Sequence, residues 1–330
     1  MQTKKILLSF AAVTIVGALL LNSCKKEESS TTTSGGNTTS PASSATQTQK
    51  ANDDSQVESY SNSAFDDANT ALGKHSSMNG KKEGIDDVCG ATVDTSQLSS
   101  KIIFLNFDGT TLCGNGTIKR AGQIKLQLTS GTHWKDVGAV LTVTFNDYKV
   151  TKVSDEKWVK FNGASTVKNT SGGTPLGMLI TGDTLVHQVR MNNMTVTFDD
   201  NKTATWSGAW RRDLSGAMQG LIYVITVSIE GDTTLNSVEH TESWGTTRDG
   251  DPFTTTLFPA VVFNTVCWNK AISGVKAITV TNSTIGVFAL TITCGVNSDG
   301  TTCTSGCPYG LKLNWTDLQS TAQQLVIAYQ

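Results

Sequence analysis

Among the 330 residues of this chain, His240, Glu242 and Trp244 form the grouping most suggestive of chemistry. On a strand they would share one face, because side chains alternate with period two. An imidazole, a carboxylate and an indole together suit a polar ligand or a metal ion. Other carboxylates within reach of a reaction are Asp183, Asp213, Glu230, Glu239, Asp249 and Asp251. Glycoside hydrolysis needs two of them facing each other at about 5 to 10 Å, one buried enough to hold a proton. Most stand beside turn residues, where Asp is favoured for local hydrogen bonds, so no catalytic pair is singled out. The sequence also lacks Gly-x-Ser-x-Gly, a Walker-type loop, His-Glu-x-x-His and a complete EF-hand loop. No catalytic residue, metal or cofactor is expected.

Aromatic residues offer a different chemistry. Trp206 and Trp210 fall on one face of an expected strand, with Gly208 between them and Arg212 beyond. At about 3.3 Å per residue they stand roughly 13 Å apart, a spacing suited to stacking on sugar rings with Arg212 as a polar clamp. In the opposing reading, both indoles pack across the sheet.

Seven cysteines are present. Setting Cys24 aside leaves Cys89, Cys113, Cys267, Cys294, Cys303 and Cys307, an even set that implies up to three disulfides in an oxidising compartment. Their spacing fits no zinc pattern. Cys89 and Cys113 flank an expected strand pair, Thr92 to Asp94 with Lys101 to Phe107, which would bring their Cα atoms within about 7 Å. Cys267 then pairs within the C-terminal group, in an order the sequence leaves open.

Cys24 has its own chemistry. Lys4 and Lys5 precede an apolar run from Ile6 to Leu21, shorter than the about 20 residues a spanning helix needs, and the pattern reads as a secretory signal. Its end, Leu21-Asn22-Ser23-Cys24, resembles a lipobox, so residues 1–23 are expected to be removed and Cys24 lipidated. Several acyl chains at about 0.8 kcal/mol per buried methylene would make that anchor permanent. Lys25-Lys26-Glu27-Glu28 resembles the signal that sends lipoproteins of Bacteroidota-type bacteria to the outer face of the outer membrane.

The elements that must carry these residues follow from composition. From Glu28 to about Asp87 the chain is mostly Ser, Thr, Asn, Gly, Gln and charged residues, with Tyr60, Phe65 and Ile85 as its few large apolar side chains. Such a segment buries too little apolar surface to offset the entropy of ordering. Residues 24–88 therefore read as a disordered tether, with a root-mean-square span of roughly 45 Å. After Cys89 the pattern becomes short β-rich runs between Gly, Asn and Asp turns. Leu141, Val143 and Phe145 alternate with Thr142 and Thr144, and Leu221, Tyr223, Ile225, Val227 and Ile229 share one face. About fourteen short strands over 89–330 imply an all-β, antiparallel, sandwich-like extracellular domain.

The order of Cys89, Asp108-Gly109-Thr110-Thr111 with Cys113, Lys119 to Ile124, Phe145-Asn146-Asp147-Tyr148, Phe161-Asn162-Gly163, and Cys267 before Ser273-Gly274 resembles a family of uncharacterised surface lipoproteins of Bacteroidota-type bacteria. The resemblance implies an all-β fold and a surface address and supplies no activity. With 26 basic and 28 acidic residues, no overall field draws the chain to nucleic acid. The expected partners are a membrane, through the lipid, and a glycan or protein ligand. The expected function is a structural, adhesive or ligand-binding β domain anchored at the outer membrane, with a secreted hydrolase acting on glycans as the alternative.

Overall fold

The computed structural model describes residues 44–329 apart from 81, 83–86, 220–221, 268–269 and 285. Cys24 and its flanking motifs lie outside the described residues. Strands β1 (Ala91–Asp94), β2 (Ile102–Cys113), β3 (Ile118–Ser130), β4 (Ala139–Lys152), β5 (Trp158–Asn169), β6 (Leu185–Phe198), β7 (Thr203–Gln219) and β8 (Ile222–Gly231) form a meander. Each pairs antiparallel with the next. The remaining strands are β9 (Thr233–Leu235), β10 (Val238–Thr246), β11 (Pro252–Leu257), β12 (Val261–Asn264), β13 (Ala271–Ser273), β14 (Val275–Asn282), β15 (Gly286–Val296), β16 (Gly310–Thr316) and β17 (Ala322–Ala328).

The sheet forks at β7. Trp210 to Gln219 pair with β8, which leads to β12 and β13, whereas Trp206 to Gly208 pair with β10, which leads through β11, β14, β15 and β16 to β17. All 17 strands join one antiparallel sheet, so the all-β, antiparallel expectation holds, with 17 strands in a single forked sheet in place of about fourteen in a sandwich-like stack. Several strands are longer than the sequence runs suggested. Leu185 to Met191 and Met194 to Phe198 are two halves of β6, joined across a register shift.

That shift is one of a series. Register slips fall at Asp108/Leu112 on β2, Ala121/Gln123 on β3, Phe145/Tyr148 on β4, Asn162/Ser165 on β5 and Met191/Met194 on β6. A bulge adds a residue to one strand and bends it; bulges aligned over neighbouring strands curl the sheet. Gly122 is required there, because with φ at 89° a Cβ would lie 2.1 Å from the Asp147 carbonyl oxygen. The slip resets the inward phase of β4 from Ala139, Leu141, Val143 and Phe145 to Tyr148 and Val150, all buried. On the same line Asp147 accepts from Asn162 Nδ2 at 3.0 Å, and Asn162 Oδ1 accepts from the Asp147 amide at 2.8 Å. The stretches around Gly122, Asp147 and Gly163 therefore sit on the bend, as does Asp108, whose carboxylate accepts the Thr110 and Thr111 amides.

The concave side holds a helix where the sequence reading placed a disordered tether. Helix α1 (Ser44–Gly73) is followed by a single turn, α2 (Ser76–Asn79), and a third short helix, α3 (Pro175–Thr181), precedes β6. No residue of α1 from Thr46 to Gly73 is exposed. Val57, Tyr60, Ala64, Phe65, Ala68, Ala71 and Leu72 are buried in the common core, each large one contributing about 1.5 to 3 kcal/mol. Polar Ser55, Ser59, Ser61 and Ser63 are buried with them. Two features explain the difference. The stretch from Ser44 to Leu72 contains neither Gly nor Pro, the costliest residues in a helix, and its small Ala and Ser residues let the sheet approach from several sides. Helix formation is driven by tertiary burial, which a reading of the segment's own apolar content misses. Among the described residues no helix is long and apolar enough to cross a membrane.

Candidate functional site

Among the described residues, the acids of α1 and the inward cations of the sheet form a densely charged buried region. Asp54 and Glu58 are one turn apart, Asp53 is beside the first, and Asp66 and Asp67 lie three turns further on. Opposite them stand Lys276 on β14, Arg212 on β7, Arg120 on β3 and Arg248 in the turn after β10. Lys276 occupies the same alternating row as Ile278 and Val280, and Arg212 the same row as Trp210 and Leu214, all buried. These cations point inward by strand parity and must find partners there.

Each cation meets a helix carboxylate. Lys276 Nζ lies 2.6 Å from Asp54 Oδ2, 2.6 Å from Glu58 Oε2 and 3.5 Å from Glu242 Oε2. Arg248 grips Asp53 with two donors, at 2.8 and 2.6 Å, while stacking 4.0 Å over Phe198. Arg212 donates to Asp66 at 3.1 Å. Arg120 donates to Asp67 and to the Cys89 carbonyl, and lies 4.7 Å over the Phe107 ring. Fork geometry makes the Arg248 pair the most directional of the set.

Burial sets the proton affinities. It pushes the Glu242 carboxyl up to about 8; Lys276 opposes this, while Glu58 and Asp54 add to it. For Lys276, burial works against the charge, but the surrounding carboxylates override it and hold the ammonium well above an ordinary lysine. Burial also raises Asp67 to about 6 against the pull of Arg120, and raises Asp53 and Asp66 despite their arginines. His187, paired across the sheet with Arg212, is driven down to about 3 by burial and by that arginine, so it is neutral. The arrangement is a clamp in which five carboxylates of α1 face four cations of the sheet, and burial beside these acids raises the proton affinity of Glu242.

The residues expected to bind a ligand lie elsewhere than expected. Trp206 and Trp210 are only 7% and 3% exposed. Trp206 packs on Phe253 at 4.5 Å and Trp210 on Phe65 of α1 at 6.2 Å. Gly208 opens no sugar site, since a Cβ there would meet the Trp210 ring at 2.6 Å. The platform reading is therefore corrected: both indoles face the helix, and Arg212 clamps Asp66 instead of a ligand. His240, Glu242 and Trp244 do not form one polar face either. A register shift between Thr241 and Ser243 breaks the alternation of β10. It turns Glu242 inward to Lys276, while His240 stacks on Phe258 at 4.2 Å and Trp244 pairs with Thr254. Among the other carboxylates, Asp213 meets Arg211 at 2.7 Å, Asp249 meets Lys202 at 2.6 Å, and Asp251 accepts from Asn282 at 3.0 Å.

The cysteines resolve into two pairs. Cys89 and Cys113 are bonded as their spacing suggested, with Cα atoms 5.9 Å apart, and Cys267 joins Cys307 with Cα atoms 5.3 Å apart. Cys294 and Cys303 are unpaired, which corrects the expectation of a third bridge. Strand parity places Cys294 in the buried row of Leu290 and Ile292, so its thiol enters the core. Cys303 lies on a separate loop, its amide bonded to the Gly295 carbonyl.

Sequence reasoning missed Asp53, Asp54, Glu58, Asp66, Asp67, Arg120, Arg248 and Lys276. A signal was present: Lys276 and Arg212 each interrupt an apolar row of a strand, and a buried cation in such a row calls for an acidic partner. Compared with protein-family models, with curated proteins and with solved structures, the chain matches none.

Proposed function

We propose that the chain is a lipid-anchored lipoprotein of the outer membrane, exposed at the cell surface, whose β body is a structural or adhesive module that takes a glycan or protein ligand. The lipobox-like run ending at Cys24 and the Lys25-Lys26-Glu27-Glu28 sequence support the address, together with the resemblance to surface lipoproteins of Bacteroidota-type bacteria. The observation that carries the mechanical part is the enclosure of α1. Only about 20 residues separate Cys24 from Ser44, a reach of at most roughly 70 Å, and the chain then enters the core instead of joining an edge strand. A pull between the lipid and the body thus acts along a helix held by four clamped cations, an arrangement suited to a module that must stay attached while bound.

The convergence of Asp54, Glu58 and Glu242 does not favour the hydrolase reading, because these carboxyls close on Lys276 under α1. Ligand contact falls to the outer surface, where Phe258 beside His240 is an exposed aromatic.

The test has two arms. Cys24→Ala should abolish labelling by a fatty-acid analogue and release the protein from membranes. The released chain should then retain glycans or extracellular proteins on an array without producing shortened saccharides. Unchanged labelling overturns the anchor, and saccharide release overturns the non-catalytic module.

A further inference from the structure

Strand β17 ends one branch of the sheet, and its free edge differs from those of the other terminal strands. β17 pairs with β16 over all seven residues from Ala322 to Ala328, and among the described residues no strand pairs with its far side. Of the other strands with a single partner, β1 is four residues long, ends on Asp94 and leads into a 3-10 turn at Leu98–Ser100, and β9 and β13 have three residues each. Short length and charge are the usual devices that blunt a sheet edge. β17 has neither: Ala322-Gln323-Gln324-Leu325-Val326-Ile327-Ala328 carries no charge, and no charged residue follows Asp317 in the sequence.

The core row also runs off this edge. Leu325 stands opposite Leu313, which is fully buried, and Ile327 opposite Leu311, also buried. Residues paired across antiparallel strands share a face, so Leu325 belongs to the inner apolar row, yet it is 37% exposed. Leu318 and Tyr309 nearby are exposed as well.

We infer that β17 pairs antiparallel with β17 of a second copy of this chain, about a two-fold axis at Leu325, joining two sheets into one. Charge and symmetry both suit a second β17 as the occupant. An isologous contact sets each residue of the patch against its symmetry mate. Around Leu325, Gln324 then faces Val326, Gln323 faces Ile327 and Ala322 faces Ala328, with no like charges opposed and Leu325 meeting its own copy. The exposed end of the inner row becomes its centre.

Sedimentation velocity of the secreted chain carrying Cys24→Ala, run from about 1 to 100 µM, should show a monomer–dimer equilibrium. Adding Leu325→Lys sets two ammonium groups on the axis and should weaken dimerisation at least ~10-fold while leaving the thermal melt in place. Leu325→Cys should instead give a disulfide-linked dimer whose cross-linked peptide maps to position 325 on both copies, because directly opposed Cα atoms lie about 4.5 to 5.5 Å apart. A chain that stays monomeric to about 100 µM, a Leu325→Lys variant that dimerises like its parent, or cross-links confined to Cys303 would overturn the inference. Should the lysine variant fail to fold, the cysteine variant decides alone.

Discussion

Replacing Lys276 with Met keeps most of the side-chain volume and removes the charge. Asp54, Glu58 and Glu242 then close on a position with no cation, having lost contacts at 2.6, 2.6 and 3.5 Å. Removing one partner of a buried ion pair costs about 3 to 5 kcal/mol, because the remaining charge is left uncompensated. For a chain of this size each kcal/mol moves the melting point by about 2 to 4 °C, so a fall of roughly 6 to 20 °C is expected. The matched control is Lys202→Met. Lys202 also contacts a carboxylate at 2.6 Å, that of Asp249, but both side chains are about half exposed, and exposed pairs are worth about 0 to 1 kcal/mol. Adding Asp54→Asn and Glu58→Gln to Lys276→Met should recover much of the loss, since neutral groups of similar shape need no counterion. Circular dichroism melts at pH 7 measure all four proteins. A Lys276→Met variant that melts within about 2 °C of the parent, or no lower than Lys202→Met, would refute the buried clamp.

Trp210→Ala should lose about 3 to 5 kcal/mol, seen as an early melt, because the indole packs on Phe65; an unchanged melt would return it to the surface. Glu242 supplies a pH dependence whose sign follows from its direction of shift. The folded protein holds a proton on Glu242 from its ordinary value near 4.5 up to about 8, whereas the unfolded chain has released it. Stability from this group is therefore complete at low pH and is lost as pH rises toward and through about 8. Glu242→Gln should flatten the fall in melting temperature between about pH 4.5 and 8, and an unaltered profile would contradict the assignment. Finally, native alkylation should modify Cys303 and spare Cys294, whose thiol burial pushes up to about 12. Non-reducing peptide maps should recover Cys89–Cys113 and Cys267–Cys307, and a free thiol at Cys89 would count against the pairing.

Much of the sheet was legible because a half-buried strand writes its geometry into every second residue, as in Leu141, Val143 and Phe145. The Cys89–Cys113 bridge followed from the same reasoning, since the strand pair between the two cysteines fixes their approach. Strand parity alone left open which side of β7 is inside. Trp206, Trp210 and Arg212 lie together, and the choice between solvent and core depends on α1, whose own composition suggests a tether. The helix itself was obscured by its composition. Ala and Ser suit a tight passage between strands and leave little apolar signal, and acids that look like solvated charges are paired with residues tens to hundreds of positions away. Register shifts obscured the rest. The one between Thr241 and Ser243 separates Glu242 from Trp244, and no alternation rule anticipates it.

The central claim is that α1 belongs to the folded body. Hydrogen–deuterium exchange of the protein tests it most directly, read on peptides covering residues 46–73. Amides of Val57 to Leu72 should be protected to within about tenfold of those in β4 and β6, since they open only with the sheet. Exchange there at the rate of an unstructured chain, with β4 and β6 still protected, would contradict the enclosed helix and restore a tether in its place.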